Sequence, residues 1–118
     1  MSPTNDPRPD IATDPLMAMT YALSWTTRQR LLVKIGDGAT TVRELADALR
    51  LPLSTVRDNL RALESVQLVT KSPEGATVGY RQTDVVSTIT TDTEIVIRVE
   101  PPGRGSLEIT YPPTWLYE

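Results

Sequence analysis

Polar side chains follow one face of a helical pattern near the middle of the chain. Val56, Leu60 and Leu63 recur at the spacing of an amphipathic helix, so we expect them to face a core. The opposite face then carries hydroxyl, guanidinium and carboxylate groups, on Ser54, Thr55, Arg57, Asp58 and Arg61. These groups donate and accept hydrogen bonds, which suits recognition of a polar partner. The alternative is that Arg57 and Asp58 only solvate an exposed face.

The sequence lacks the residue types that most catalytic and metal sites use. The chain of 118 residues contains no cysteine and no histidine. Disulfides, thiolate metal sites and histidine-activated nucleophiles are therefore excluded, as is the usual general base near neutral pH. A phosphate-binding glycine loop is also absent from the sequence. We expect a protein that is not an enzyme and needs no cofactor.

Two short helices position the polar face. The first has apolar residues at helical spacing, namely Val42, Leu45, Ala46 and Leu49. Thr41 and Glu44 match a capping box at its start. Pro52 disfavours helix at Leu51, so the first helix ends by that residue and the second covers 53–65. Helices joined by so short a turn cross at a steep angle, as in a helix-turn-helix.

More helix is predicted before this pair. Asp14 and Pro15 are a cap and first-turn pair for a helix that reaches about Ser24. A second helix covers 28–35, with Thr26 or Thr27 as its cap and Gly36-Asp37-Gly38 as its end. Residues 1–14 are rich in proline and aspartate and are predicted to be a disordered arm.

Strands are predicted after the helices. Residues 67–71 and 77–83 are strand-like and flank a turn at 72–75, so they predict a β-hairpin. Residues 84–118 form an extension, in which 93–100 and 107–111 alternate with a period of two and predict a second hairpin. An aromatic tail, Trp115-Leu116-Tyr117, follows it.

This order of elements resembles the winged helix-turn-helix transcription regulators, and most closely the ArsR-like group of bacteria and archaea. The resemblance covers about 22–83. It is carried mainly by Leu45-Ala46, Leu49, Ser54-Thr55-Val56, Leu60, Leu63-Glu64, Leu68-Val69 and Gly79-Tyr80-Arg81. It implies an α+β fold, with a DNA-binding domain over 15–83 made of three to four helices and a hairpin wing. Past Asp84 the chain departs from the family, in which a dimerising helix often follows.

In the family, the helix matching 53–65 enters the major groove of DNA. The resemblance therefore implies that Ser54, Thr55, Arg57 and Asp58 contact bases and that Arg61 contacts a base or a phosphate. Thr41 and Arg43 are expected to position phosphates, because free N–H groups at a helix start bind anions. The wing offers Lys71, Thr77 and Arg81 to the backbone or the minor groove.

Charge is divided unevenly along the chain. Residues 15–81 hold nine basic and six acidic side chains, a balance of +3, whereas 1–14 sum to −2 and 82–118 to −4. The acidity thus lies in the two tails, and the expected DNA-binding part is mildly basic. Lys34 and Lys71 are the only lysines, a bias that suits a salt-adapted, archaeal or GC-rich source, or arises by chance.

We therefore expect a cytoplasmic repressor that binds double-stranded DNA as a homodimer. No apolar run approaches the length that crosses a membrane. The dimer contact is expected on the first helix, around Met17, Met19, Tyr21 and Trp25, or on the terminal hairpin and aromatic tail, unless these only cover the domain's own core. An unknown effector or protein partner is possible in this scheme. The alternative function is a winged-helix module that binds another protein and has no role on DNA.

Overall fold

The computed structural model of the protein describes residues 14–74 and 77–117. Four α-helices come first: α1 (Pro15–Ala22), α2 (Thr26–Gly36), α3 (Val42–Leu49) and α4 (Leu53–Ser65). Five strands and a 3₁₀ helix follow: β1 (Val69–Glu74), β2 (Thr77–Gln82), β3 (Val86–Thr90), β4 (Ile95–Val99), β5 (Leu107–Tyr111) and the 3₁₀ helix Pro113–Tyr117. The predicted α+β class is confirmed. The predicted disordered arm, apart from Asp14, lies outside the described residues.

The helix starts follow local capping chemistry. Asp14 accepts hydrogen bonds from the backbone N–H groups of Leu16 and Met17, at 3.0 and 3.3 Å, and α1 begins with Pro15 as predicted. The capping box between Thr41 and Glu44 is present at α3. The predicted threonine cap of α2 is wrong: α2 begins two residues before Arg28, and the cap residue is Trp25, which makes no side-chain capping bond. The predicted end of α1 near Ser24 is also late, since the helix stops at Ala22.

The turn between α3 and α4 has the predicted position. Arg50 closes α3 in the left-handed conformation, with φ of 56°, and Leu51 N donates to Ala46 O at 3.0 Å. Pro52 then precedes α4, where its missing N–H costs nothing because first-turn N–H groups have no partner inside the helix. Only three residues, 50–52, therefore connect the two helices.

A long hairpin follows α4. Strands β1 and β2 pair antiparallel, from Val69 opposite Gln82 to Glu74 opposite Thr77. The predicted turn at 72–75 is therefore partly wrong, because 72–74 belong to β1; proline is tolerated there on an edge strand. Residues 75–76 lie outside the described residues. The hairpin is anchored to the start of α3 by a bond from Tyr80 N to Thr40 O, at 2.8 Å.

The C-terminal part is a three-stranded sheet and not only a hairpin. Strands β4 and β5 pair as predicted, and β3, which the sequence pattern did not indicate, pairs with the other edge of β4. On β3 the apolar Ile89 points outward and is 57% exposed, while the threonine Thr88 faces Ile97 on the inner side. At these two positions the usual alternation of apolar and polar residues is reversed, which conceals the strand.

Helices and strands share one hydrophobic core. It joins Leu31 and Leu32 of α2 to Leu60 of α4 and to Ile97 of the sheet, all of them fully buried. Gln82 links the same layers, because its Nε2 donates to Leu32 O at 3.0 Å and to Thr88 Oγ1 at 2.8 Å. The core cluster thus includes residues from both 15–83 and 84–118. In the described part of the chain, no helix has the length and apolar character needed to cross a bilayer.

The aromatic tail packs against its own fold. Trp115 and Leu116 are only 7% and 5% exposed, and the Trp115 ring stacks on Tyr111 with centroids 4.0 Å apart. Tyr111 also donates from its hydroxyl to the buried Gln29 of α2, at 2.8 Å. Of the two hypotheses for Trp115 and Leu116, coverage of the domain's own core is the one that the structure supports.

Candidate nucleic-acid interface

The outward face of α4 carries an exposed polar stripe. Its core side is set by Val56, Leu60 and Leu63, each with 0% exposure. The stripe lies opposite them at helical spacing and is formed by Ser54, Arg57, Asp58 and Arg61, all exposed. Thr55 lies at the flank and is half-buried, so it contributes less surface than predicted. The structure thus brings together four of the five residues predicted on this helix.

Charges on the stripe are unequal in their availability. Arg61 Nη1 lies 3.3 Å from Asp58 Oδ1, so part of the positive charge of Arg61 is neutralised within the stripe. Arg57 makes no ion pair with any residue in the described ranges, and its guanidinium is exposed. Arg57 therefore supplies a fork of N–H donors on α4 that no described carboxylate neutralises, for a carboxylate, a phosphate or a base edge.

A neighbouring network was missed in the sequence. Asn59 accepts from Arg28 Nε at 3.0 Å and donates to Thr55 O at 2.8 Å. Arg28 also donates to Ala22 O at 3.3 Å, and its guanidinium lies 4.1 Å from the centre of the Trp25 ring. These contacts hold α4 against the junction of α1 and α2. Arg28 and Asn59 are 31 residues apart in the sequence, so no local sequence pattern predicts their contact.

The start of α3 is occupied by the protein's own carboxylate. Glu44 Oε1 accepts from the N–H groups of Thr41 and Thr40, at 3.0 and 3.2 Å, and Thr41 Oγ1 accepts from Glu44 N at 3.1 Å. The hydrogen bonds from Thr41 and then Thr40 lower the pKa of Glu44, although the group is exposed. Thr41 is therefore engaged in capping, while Arg43 in the first turn of α3 is exposed.

The two cations predicted to contact DNA from the β1–β2 hairpin do not share one face. Lys71 pairs across the strands with Tyr80, and Arg81 with Thr70, so the two cations point to opposite faces of the hairpin. Lys71 Nζ lies 3.9 Å from Glu64 Oε1 at the end of α4, whereas Arg81 is exposed and makes no ion pair with a described residue. The backbone of Thr77 pairs with Glu74. Lys71 and Arg81 therefore cannot both contact a partner that lies against one face of the hairpin.

Chemically, this surface can form hydrogen bonds and ion pairs. The described residues contain no group of three acidic side chains placed to hold a metal ion. The exposed donors are concentrated on α4, with Arg43 on the preceding helix and Arg81 on the hairpin as outlying positive charges. Comparison with known proteins adds no relative, since no protein-family model and no curated protein sequence matches the chain.

Proposed function

We propose that the protein is a sequence-specific, DNA-binding transcription regulator of the winged helix-turn-helix type, without catalytic activity. The observation that carries the proposal is the exposed polar stripe on α4, whose opposite, apolar face is fully buried in the core. In this proposal α4 lies in the major groove, α3 crosses the backbone, and the β1–β2 hairpin acts as the wing.

Several features support this arrangement. The three-residue turn between α3 and α4 fits a helix-turn-helix, and the hairpin follows α4 with a short connection and pairs with the start of α3. The Arg28–Asn59 contact supports a rigid placement of α4, which recognition of base edges needs. Arg57 would form paired hydrogen bonds to guanine, the commonest specific contact of arginine with DNA.

A homodimer and repression belong to the same proposal. Among the described residues of this surface, Arg61 and Lys71 are in ion pairs, so two copies on a two-fold site would add to the affinity of one. Met17, Tyr21 and Trp25 are the exposed large apolar residues of α1 and its end, whereas Met19, also predicted for this contact, is buried in the core. Trp25 and Tyr21 are in edge-to-face contact at 5.1 Å. We place the dimer contact there. A repressor of this kind acts in the cytoplasm, by occupying its site against the transcription machinery.

The rival function is a protein-interaction module of the same fold. The Arg61–Asp58 ion pair favours it, because the carboxylate in the stripe repels phosphate and lowers the net charge that DNA would meet. The two functions differ in their dependence on salt. DNA binding releases counterions and therefore weakens steeply as the salt concentration rises. The logarithm of the association constant falls with the logarithm of the salt concentration, with a slope of roughly 0.9 for each phosphate that the protein neutralises.

The test combines selection with a salt titration. The full chain is incubated with a randomised duplex library at low salt, and bound duplexes are recovered and sequenced. We expect one enriched, two-fold symmetric motif, for which the logarithm of the association constant falls linearly with the logarithm of salt concentration. A scrambled duplex of equal length is the control. Absence of enrichment, together with no binding of any duplex at low salt, would overturn the proposal in favour of the interaction module.

A further inference from the structure

A cleft between α2, α3 and the 3₁₀ helix carries two arginines that the proposed DNA contacts do not use. Its volume is about 490 Å³, a size typical of small-molecule sites. Leu49, Leu51 and Leu116 give it an apolar wall, and Arg30, Arg50 and Asp47 give it charge. A cleft with an apolar wall and a few converging charged groups is the usual form of a ligand site.

Arg30 has an incomplete set of hydrogen bonds. Its Nη2 donates to Trp115 O at 3.0 Å, and its guanidinium lies 5.2 Å from the centre of the Trp115 ring. Its Nε is buried and has no partner among the described residues. Leaving a buried donor unpaired is unfavourable, and such donors in folded proteins usually find a partner in the protein or in bound water or ions. The guanidinium is therefore fixed in place with donor capacity left unused.

Arg50 is placed at a position that favours another residue type. Its φ of 56° is left-handed, a conformation that glycine or asparagine adopts at lower cost at a helix end. Its side chain is exposed and makes no ion pair within the described ranges. Strained backbone of this kind is concentrated at functional sites. An arginine at this position, lining the same cleft as Arg30, points to a role for its charge.

From these observations we infer that the cleft binds a small organic carboxylate. The carboxylate lies between Arg30 and Arg50, whose planar guanidinium groups suit its two oxygens. The apolar body of the ligand packs on Leu49, Leu51 and Leu116. Asp47 on the same cleft opposes a second negative charge, which favours a monoanion over phosphate.

The site is also placed to influence α4. Arg50 is the first residue of the three-residue turn between α3 and α4, so a ligand that holds its side chain restrains that turn. This regulatory role rests on the proposed function, whereas ligand binding does not. A ligand that binds the DNA-bound form with different affinity shifts the affinity for DNA by the same factor.

The binding test is an NMR titration of the full chain with benzoate, using benzamide as a neutral analogue of the same shape. We expect saturable shifts of the backbone amides at 27–30 and 47–51 with benzoate, and much smaller ones with benzamide. Inorganic phosphate is titrated in parallel and should bind more weakly than benzoate. Shifts spread over the whole surface, equal shifts with benzamide, or tighter binding of phosphate would overturn the inference.

Three variants sharpen the test. Arg50→Asn removes the charge but retains a residue tolerant of the left-handed conformation, and should weaken benzoate binding about tenfold. Asp47→Asn should strengthen it, because it removes a like charge. Arg104→Asn, at an exposed loop arginine, is the matched control and should leave binding unchanged. Unchanged binding in Arg50→Asn, or weaker binding in Asp47→Asn, would contradict the site, and each spectrum reports whether the variant is folded.

The regulatory role has its own readout. Benzoate is added to the complex of the full chain with a duplex recovered by selection, and the affinity for that duplex is measured with and without ligand. We expect a change of about fivefold or more in wild type and none in Arg50→Asn. A protein that binds benzoate at the cleft but no DNA would refute the proposed function and leave the ligand site standing.

Discussion

Asp58 and Arg61 form an ion pair on the outward face of α4, with Oδ1 and Nη1 3.3 Å apart. Their side chains are 73% and 72% exposed, so solvent screens the attraction and the pair adds little to stability. Its effect falls instead on recognition. The carboxylate reduces the positive charge that this face offers to a polyanion and competes with that polyanion for Arg61.

Asp58→Asn should therefore strengthen binding to DNA. The substitution frees Arg61 and removes a charge that repels phosphate, effects worth up to about 1 kcal/mol, or about fivefold in affinity. Fluorescence anisotropy with a labelled duplex at fixed salt measures the change. Asp92→Asn, at an exposed carboxylate in the β3–β4 connection, is the control and should not alter the affinity. Equal or weaker binding by Asp58→Asn would contradict this role.

Arg57→Ala should weaken binding to a selected site by about fivefold to 150-fold, because a paired arginine contact with guanine contributes about 1–3 kcal/mol of discrimination. The side chain is exposed, so the melting temperature should stay close to that of wild type. Binding curves for the selected duplex and for single-base variants of it measure the loss of affinity and of discrimination. Arg104→Ala removes an exposed arginine elsewhere and serves as control. Identical curves for wild type and Arg57→Ala would remove Arg57 from the interface.

Asn59→Ala should lower stability, in contrast to Arg57→Ala, which should lower affinity for DNA. The change deletes the acceptor of Arg28 Nε and the donor to Thr55 O, and should lower the free energy of unfolding by about 1–2 kcal/mol. Urea unfolding followed by circular dichroism measures it. The salt dependence of DNA binding should be unchanged, because Asn59 carries no charge. Ser65→Ala, at an exposed position of the same helix, is expected to have little effect; a stability of Asn59→Ala equal to wild type would show that the network does not hold α4.

Glu44 should make stability depend on pH. Its pKa is lowered from the ordinary value of 4.5 by hydrogen bonds from Thr41 and Thr40, so the folded state favours the charged carboxylate. A lowered folded-state pKa contributes stability that is present above the unfolded-state value and is lost as pH falls through the folded-state value. Glu44→Gln should therefore unfold at lower urea than wild type near neutral pH, and the difference should close as pH falls below 4.5.

The comparison is made by urea unfolding at about pH 6 and about pH 3.5, where the carboxyl is mainly charged and mainly neutral in the unfolded chain. Asp84→Asn, at an exposed carboxylate without a hydrogen bond to a described residue, is the control. A difference between wild type and Glu44→Gln that is constant with pH would mean that the capping box contributes through shape alone.

Gly36→Ala should destabilise the fold although alanine normally favours a helix. A Cβ at Gly36 would overlap Thr88 Oγ1 and approach Gln82 Nε2 to 2.7 Å. We expect a loss of about 1–3 kcal/mol in the free energy of unfolding, as for other overpacked sites. The double variant Gly36→Ala with Thr88→Ala removes the closest atom and should recover part of the loss. No recovery would show that the glycine is needed for another reason.

Local signals predicted the helices best. The capping box at Thr41, the proline at 52 and the apolar periodicity placed the start of α3 and both ends of α4 as observed, because caps and periodicity are encoded within a few residues. The end of α3 was predicted only as a limit at Leu51, and the helix stops at Leu49. Strand β3 was not predicted, since its pairing with β4 is what makes it a strand and Ile89 faces outward. Tertiary pairing decided this segment, as it often does for strands.

The candidate site divides in the same way. Exposure of Arg57, Asp58 and Arg61 followed from helix geometry once Val56 and Leu60 were assigned to the core. The opposite orientations of Lys71 and Arg81 depend on strand register, and the cleft at Arg30 depends on Trp115, a partner 85 residues away. Contacts over such distances leave no trace in a periodic pattern.

The contacts that α2 makes with distant segments of the chain have a consequence for folding during synthesis. Gln29 accepts a hydrogen bond from Tyr111, and Arg30 donates one to the backbone of Trp115, so these contacts of α2 cannot form until those residues have left the ribosome. Pairing across such long separations in sequence slows folding, because the loop entropy is lost before the contacts form. The nascent helices should therefore remain open to proteases and chaperones until the last strand is added, and the protein then closes in one late step.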